Sequence, residues 1–150
     1  MESEMRGSEG PGGTRSSQGK IWAPPCLMAA LILILSSTPG AYYPERPDYI
    51  NNIAHFMEFG ILAFLLARAL HKGLLLTGRG LFLWTMTICV SFGLLDEAHQ
   101  FLVPERIFDL VDVFFDSMGA LAGFGIYILY RVMRSGSLMT GAAKNPEVDD

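Results

Sequence analysis

Cysteine is nearly absent from this chain, with only Cys26 and Cys89 among 150 residues. Both lie in apolar stretches that belong to separate predicted helices at different depths, so a disulfide framework is excluded and both read as plain buried thiols. The signatures of familiar hydrolases are missing as well: there is no Gly-x-Ser-x-Gly elbow, no His-Glu-x-x-His and no Walker loop. Gly93-Leu94-Leu95-Asp96 lacks the second glycine of intramembrane aspartyl proteases, and the split Lys, Arg and His pattern of membrane lipid phosphatases is absent. No internal repeat is visible, where a transporter would need one or would need more helices, unless oligomers supply them. No alternating ten-residue pattern of a membrane barrel occurs. A net charge of −4 offers no basic surface for nucleic acid.

What is present is apolar. Hydrophobic residues make up 51% of the chain and the mean hydropathy is +0.34, too apolar for an ordinary soluble globule of this size. Three stretches can cross about 30 Å of hydrocarbon as helices: Asn51 to Leu70, Leu81 to Val103 and Leu110 to Arg131. A fourth, Ile21 to Ser37, is shorter and free of charge after Lys20. Lipid leaves no water to satisfy an open backbone, so these segments are expected to be helices and the fold class all-α, an integral membrane bundle of four antiparallel helices. The first could instead be a cleaved signal peptide, although Ser37 to Tyr42 make a poor cleavage site and no lipid-attachment cysteine follows; an uncleaved helix is the preferred reading. Residues 1–20 and 135–150 are polar and read as disordered tails, leaving 21–134 as the transmembrane domain. Pro39, Gly40, Pro44 and Pro47 mark the first loop, and Gly73, Gly78 and Gly80 the second.

Cytoplasmic loops keep Lys and Arg. Arg6, Arg15 and Lys20 precede the first helix, Arg68, Lys72 and Arg79 flank the second loop, and Arg131, Arg134 and Lys144 follow the last helix; only Arg46 and Arg106 fall on the other side. Both termini are therefore expected in the cytoplasm. Tyr42, Tyr43 and Tyr49 fit an outer aromatic belt, Trp22, Trp84 and Tyr130 an inner one, and His71 beside Lys72 reads as a solvated loop residue.

That topology gathers the carboxylates of the hydrophobic segments at the outer end. Glu58, Asp96, Glu97, Asp112 and Asp116 lie there, with His55, His99, Gln100 and Arg106 beside them. A charge at mid-bilayer costs about 2.5–3.5 kcal/mol on insertion scales, so such a gathering needs a compensating reason. Residues three or four apart share a helix face: His55 with Glu58, Glu97 with Gln100, and Arg106, Asp109, Asp112 and Asp116 as a stripe if the fourth helix begins early. Asp96 and Glu97 cannot point the same way, so one is expected to face the neighbouring loop.

Three motifs, His55-Phe56-Met57-Glu58-Phe59, Asp96 through Arg106 and Asp112-Val113-Phe114-Phe115-Asp116-Ser117-Met118-Gly119, are together similar in order and spacing to those of the VanZ family of small membrane proteins. The resemblance runs from about Ile50 to Tyr130. It implies a multi-helix membrane protein of a family whose founding member is linked to teicoplanin resistance and whose biochemical activity is not established. The family pattern carries onto His55, Glu58, Glu97, Gln100, Pro104, Arg106, Asp112 and Gly119. Three positions depart: Glu105 stands where the family has Gly, Asp109 where it has Ser or a small polar residue, and Asp116 where it has Asn. Each departure adds negative charge and favours a cation.

Converging carboxylates in a dry setting must take protons, pair with Arg106 or coordinate a metal. One reading is an ion-pair lock of Arg106 with Glu97 and Asp112 that only fixes helices. A sharper one is an outward pocket in which His55, Glu58 and Glu97 carry the chemistry while Gln100, Arg106, Asp112 and Asp116 hold the substrate, a lipid-linked phosphate or envelope precursor. A divalent metal on His55, Glu58, Glu97 and Asp116 has suitable ligand types but no recognised spacing, and no cofactor is named by the residues. The expected partners are membrane lipids, a lipid-linked precursor or glycopeptide, and a second copy of the chain. The expected location is a bacterial plasma membrane. A noncatalytic accessory protein, a small membrane enzyme and an ion or proton conductor all remain open. Gly119-Ala120-Leu121-Ala122-Gly123, with Gly60, Ala63 and Ala67 on the second helix, supplies smooth faces for close packing within the bundle or between copies.

Overall fold

Four helices and no strand make up the described residues, 12–39 and 48–142, of the computed structural model. They are α1 (Gly12–Ser36), α2 (Asp48–Gly73), α3 (Gly78–Gln100) and α4 (Leu110–Ala142). Each contains a span long and apolar enough to cross a membrane: Gln18–Ser36, Tyr49–Gly73, Gly78–Gln100 and Leu110–Ser135. Leu27, Ile34, Leu83, Phe114, Ile126 and Val132 point outward, exposed by more than half of their surface. Such a coat would aggregate in water and is the natural contact surface in hydrocarbon. The chain is an all-α integral membrane protein.

Helix ends differ from the expected ones because capping geometry, not hydropathy, sets them. α1 starts at Gly12 and α4 runs to Ala142, so both extend into the stretches read as tails, and residues 1–11 and 143–150 lie outside the described residues. α1 continues through Pro24 and Pro25, each of which removes an amide donor. α3 stops at Gln100 rather than Val103, where Phe101, Leu102 and Val103 donate to the carbonyls of Glu97, His99 and Gln100 and close the end with turns. α4 opens on a cap: the Val111 amide donates to Asp109 Oδ1 at 2.8 Å, which satisfies one orphan donor of the first turn. At the end of α2 the Leu76 amide reaches back to the Leu70 carbonyl at 3.3 Å and Leu75 takes a left-handed φ of 56°. Leucine here stands at a left-handed position that favours glycine.

Ring and hydrogen-bond contacts set the topology. The end of α1 meets the end of α3 through Ser36 and Asp96, and the start of α2 meets the start of α4 through Asn51 and Asp112. Successive helices therefore run antiparallel. α2 and α4 share the largest interface, and a Cβ at Gly119 or Gly123 would collide with the carbonyls of Phe56 and Gly60. The small-residue faces thus pack inside the chain. Phe59, Leu62, Ala63, Leu66, Leu81 and Ala120 fill the interior beneath the polar end.

Two side chains sit differently from their sequence reading. Cys26 is exposed on the apolar surface and only Cys89 is buried. His71 belongs to the last turn of α2 and is half-buried, with its ring 6.3 Å from that of Tyr127 on α4 and a buried, unpartnered Nδ1. Half-buried Trp22 packs on Gly73, where a Cβ would meet the indole at 3.0 Å. Tyr42 and Tyr43, like Pro44, Arg46 and Pro47, lie outside the described residues.

Candidate functional site

The close approach of α2 and α4 creates a two-rung polar ladder. Asn51 and His55 are four residues apart on one helix, Asp112 and Asp116 four apart on the other, so each pair shares a face. Asn51 Nδ2 donates to Asp112 Oδ2 at 2.9 Å. His55 Nδ1 lies 3.0 Å from Asp116 Oδ1, and His55 Nε2 lies 3.6 Å from Asp112 Oδ2. With Asp116 ionised, Nδ1 is the donor of this bond. The Asp116 side chain turns toward α3 at Gly93, where a Cβ would lie 2.8 Å from Oδ2.

The last turn of α3 supplies a second cluster. Ser36 Oγ donates to Asp96 Oδ2 at 2.7 Å, and Gln100 Nε2 donates to the same oxygen at 3.0 Å and to Glu97 Oε1 at 3.1 Å. The Asp109 amide donates to Glu97 Oε2 at 2.9 Å. Asp96 thus faces α1 and Glu97 the loop that follows α3, with both fully buried. Ser37 Oγ and His99 Nε2, 3.0 Å apart, tie α1 to α3 nearer the surface.

His55, Glu58, Asp96, Glu97, His99, Gln100, Arg106, Asp112 and Asp116 all come to this end of the bundle. Glu97 meets Gln100 and the Asp109 backbone amide. Arg106 donates from Nε to the Thr38 carbonyl at 3.4 Å and lies within electrostatic reach of Asp112. Half-buried Glu58 is within reach of His55, Asp96 and Asp116. The donor atoms that converge are those of His55, Glu97 and Asp112, all within 4.8 Å of one another, rather than the anticipated set with Glu58 and Asp116. A cleft of about 250 Å³ lies alongside, lined by Asn51, Asn52, Gln100, Glu105, Arg106, Ile107, Asp109 and Asp112. Asn51 was missed and was findable, one turn before His55. Ser36 and Gly93 were not, since nothing local marks their partners.

This arrangement falls within a single region of sequence similarity: the VanZ/LLP1 family matches residues 15–131, across all four helices. The chain belongs to the VanZ family. No curated protein and no solved structure matches it. The departures of this VanZ-family chain from the pattern have distinct physical places. Glu105 adopts a left-handed φ of 62° in a turn closed by the Arg106 amide on the Val103 carbonyl, with Pro104 before it. Such a turn favours glycine at that position. Asp109 caps α4, and Asp116 holds the imidazole.

Proposed function

We propose that this VanZ-family membrane protein serves the cell envelope by receiving the phosphate-bearing head of a lipid-linked precursor in the cleft at the polar end of its bundle. The observation that carries this reading is the junction of a buried His55–Asp116 pair with a polar cleft whose rim is apolar. Ile107, Leu102 and Leu110 are more than 60% exposed beside it, a surface suited to a prenyl tail. Asn51, Asn52 and Arg106 line the cleft with the amide and guanidinium groups that phosphate oxygens accept from. We assign the chemistry to His55 and Glu97, buried behind the residues that line the cleft, with half-buried Glu58 beside them. Asp112 and Gln100 border the ligand, and Asp116, 1% exposed, positions His55 rather than touching the head group.

The positive-inside bias puts both termini in the cytoplasm and this centre at the outer face of a bacterial plasma membrane. A lipid-linked envelope precursor is exposed there, and the family's link to teicoplanin fits a protein acting on that pool. The test compares cells carrying the intact gene with His55→Ala and Glu97→Gln forms at equal membrane abundance. The expected outcome is a changed level of lipid-linked precursor and a loss of teicoplanin tolerance in both variants. Unchanged precursor and tolerance, with folded protein in the membrane, would overturn the reading.

A further inference from the structure

Among the described residues, Glu105, Asp109 and Asp112 outnumber Arg106 along the cleft lining, an electrostatic difficulty for an anionic ligand. The centre behind it has carboxylate oxygens left over. Asp96 Oδ1 and Asp116 Oδ2 are buried without a donor, in residues 0% and 1% exposed, and Asp116 Oδ2 is turned into the bundle against Gly93. We infer that His55, Glu97 and Asp112 hold a divalent cation of the zinc or manganese class beside the cleft.

The supporting shell is already arranged. Ionised Asp116 accepts the Nδ1–H hydrogen bond of His55, which fixes the ring and leaves the Nε2 lone pair toward Asp112, the carboxylate–histidine arrangement that orients metal ligands. Asn51 orients Asp112, while Gln100 and the Asp109 amide each place one donor on Glu97, leaving a second lone pair on each of its oxygens. The 3.6 Å between His55 Nε2 and Asp112 Oδ2 is long for a hydrogen bond. It is close to the roughly 3.4 Å that separates two ligands on a tetrahedral zinc with bonds of about 2.1 Å. One imidazole and two carboxylates suit zinc or manganese, and the cleft at Asp112 leaves a coordination position for an outside oxygen. The site deepens the reading above and rests on it only in assigning that oxygen to a phosphate.

The test uses the full-length protein in detergent, stripped with chelator and titrated with Mn²⁺ or Zn²⁺ by calorimetry, with elemental analysis of the untreated protein. One ion per chain is expected. Glu97→Gln and Asp112→Asn should weaken it on the order of 100-fold and Asp116→Asn about 10–100-fold, as loss of a ligand or of its orienting partner does. His55→Ala should abolish it, and a Cys26→Ala/Cys89→Ala form should bind as before. Size exclusion and circular dichroism check folding, and if His55→Ala fails to fold, the Glu97→Gln and Asp116→Asn forms decide. No binding by the intact protein, or binding indifferent to these changes, overturns the site. Nanodiscs of phosphatidylcholine carrying polyprenyl phosphate separate the two ideas. Metal without phosphate-lipid binding sustains the cation site and sinks the ligand, whereas lipid binding by protein that takes up no metal sustains the ligand and sinks the cation site.

Discussion

Glu105 occupies a backbone conformation that a Cβ disfavours, in a turn bordering the cleft. Left-handed backbone costs a non-glycine residue roughly 1–2 kcal/mol. Glu105→Gly is therefore expected to raise unfolding stability in detergent by about 1 kcal/mol, and a thermal melt that falls instead would contradict the strain. Asp109 gives a complementary case. Its side chain caps α4 while its amide binds Glu97, so Asp109→Ala should cost about 1 kcal/mol of stability through the lost cap and leave the amide bond to Glu97 in place. Asp109→Asn, which keeps a capping oxygen, should cost far less in the same melt. Both residues were noticed in the sequence as departures from a family pattern. Their physical roles were not visible there, because charge was read where backbone geometry was at stake.

At the scale of the helix, the pair α2 and α4 decides whether the centre exists. Backbone contact at Gly60, Gly119 and Gly123 brings Asn51 and His55 within hydrogen-bond range of Asp112 and Asp116. Gly123→Leu should drive the helices apart, at a cost of about 1–3 kcal/mol or more for overpacking. Because the defect lies two turns from Asp116, the expected result is a folded but loosened bundle with faster hydrogen exchange at Asn51 to His55, read by mass spectrometry. Normal protection there would contradict the dependence. The smooth face was legible in Gly119 to Gly123, as were the spans themselves, from length and apolarity. Helix ends were less so: Gly73 reads as a loop marker, yet its lack of a side chain makes room for Trp22, and the left-handed turn falls two residues later on Leu75. A pattern of apolar residues cannot tell which glycine serves packing and which position serves the turn.

For the whole molecule, the sequence located one polar end but could not pair its members, since contacts such as Ser36 with Asp96 join residues 60 apart. The orientation argued from Lys and Arg is open to a direct check. In cells, Pro104→Cys on a Cys26→Ala/Cys89→Ala background should react with a membrane-impermeant maleimide, and Arg79→Cys should not; the opposite pattern would invert the molecule and move the cleft to the cytoplasm. The ladder between α2 and α4 also has a consequence for biogenesis. His55 enters the bilayer with the second helix, but Asp112 and Asp116 arrive only with α4, so until then the nascent imidazole lacks both aspartates of the ladder. Chains cut short before Leu110 should accordingly be cleared by membrane proteases, while intact ones persist.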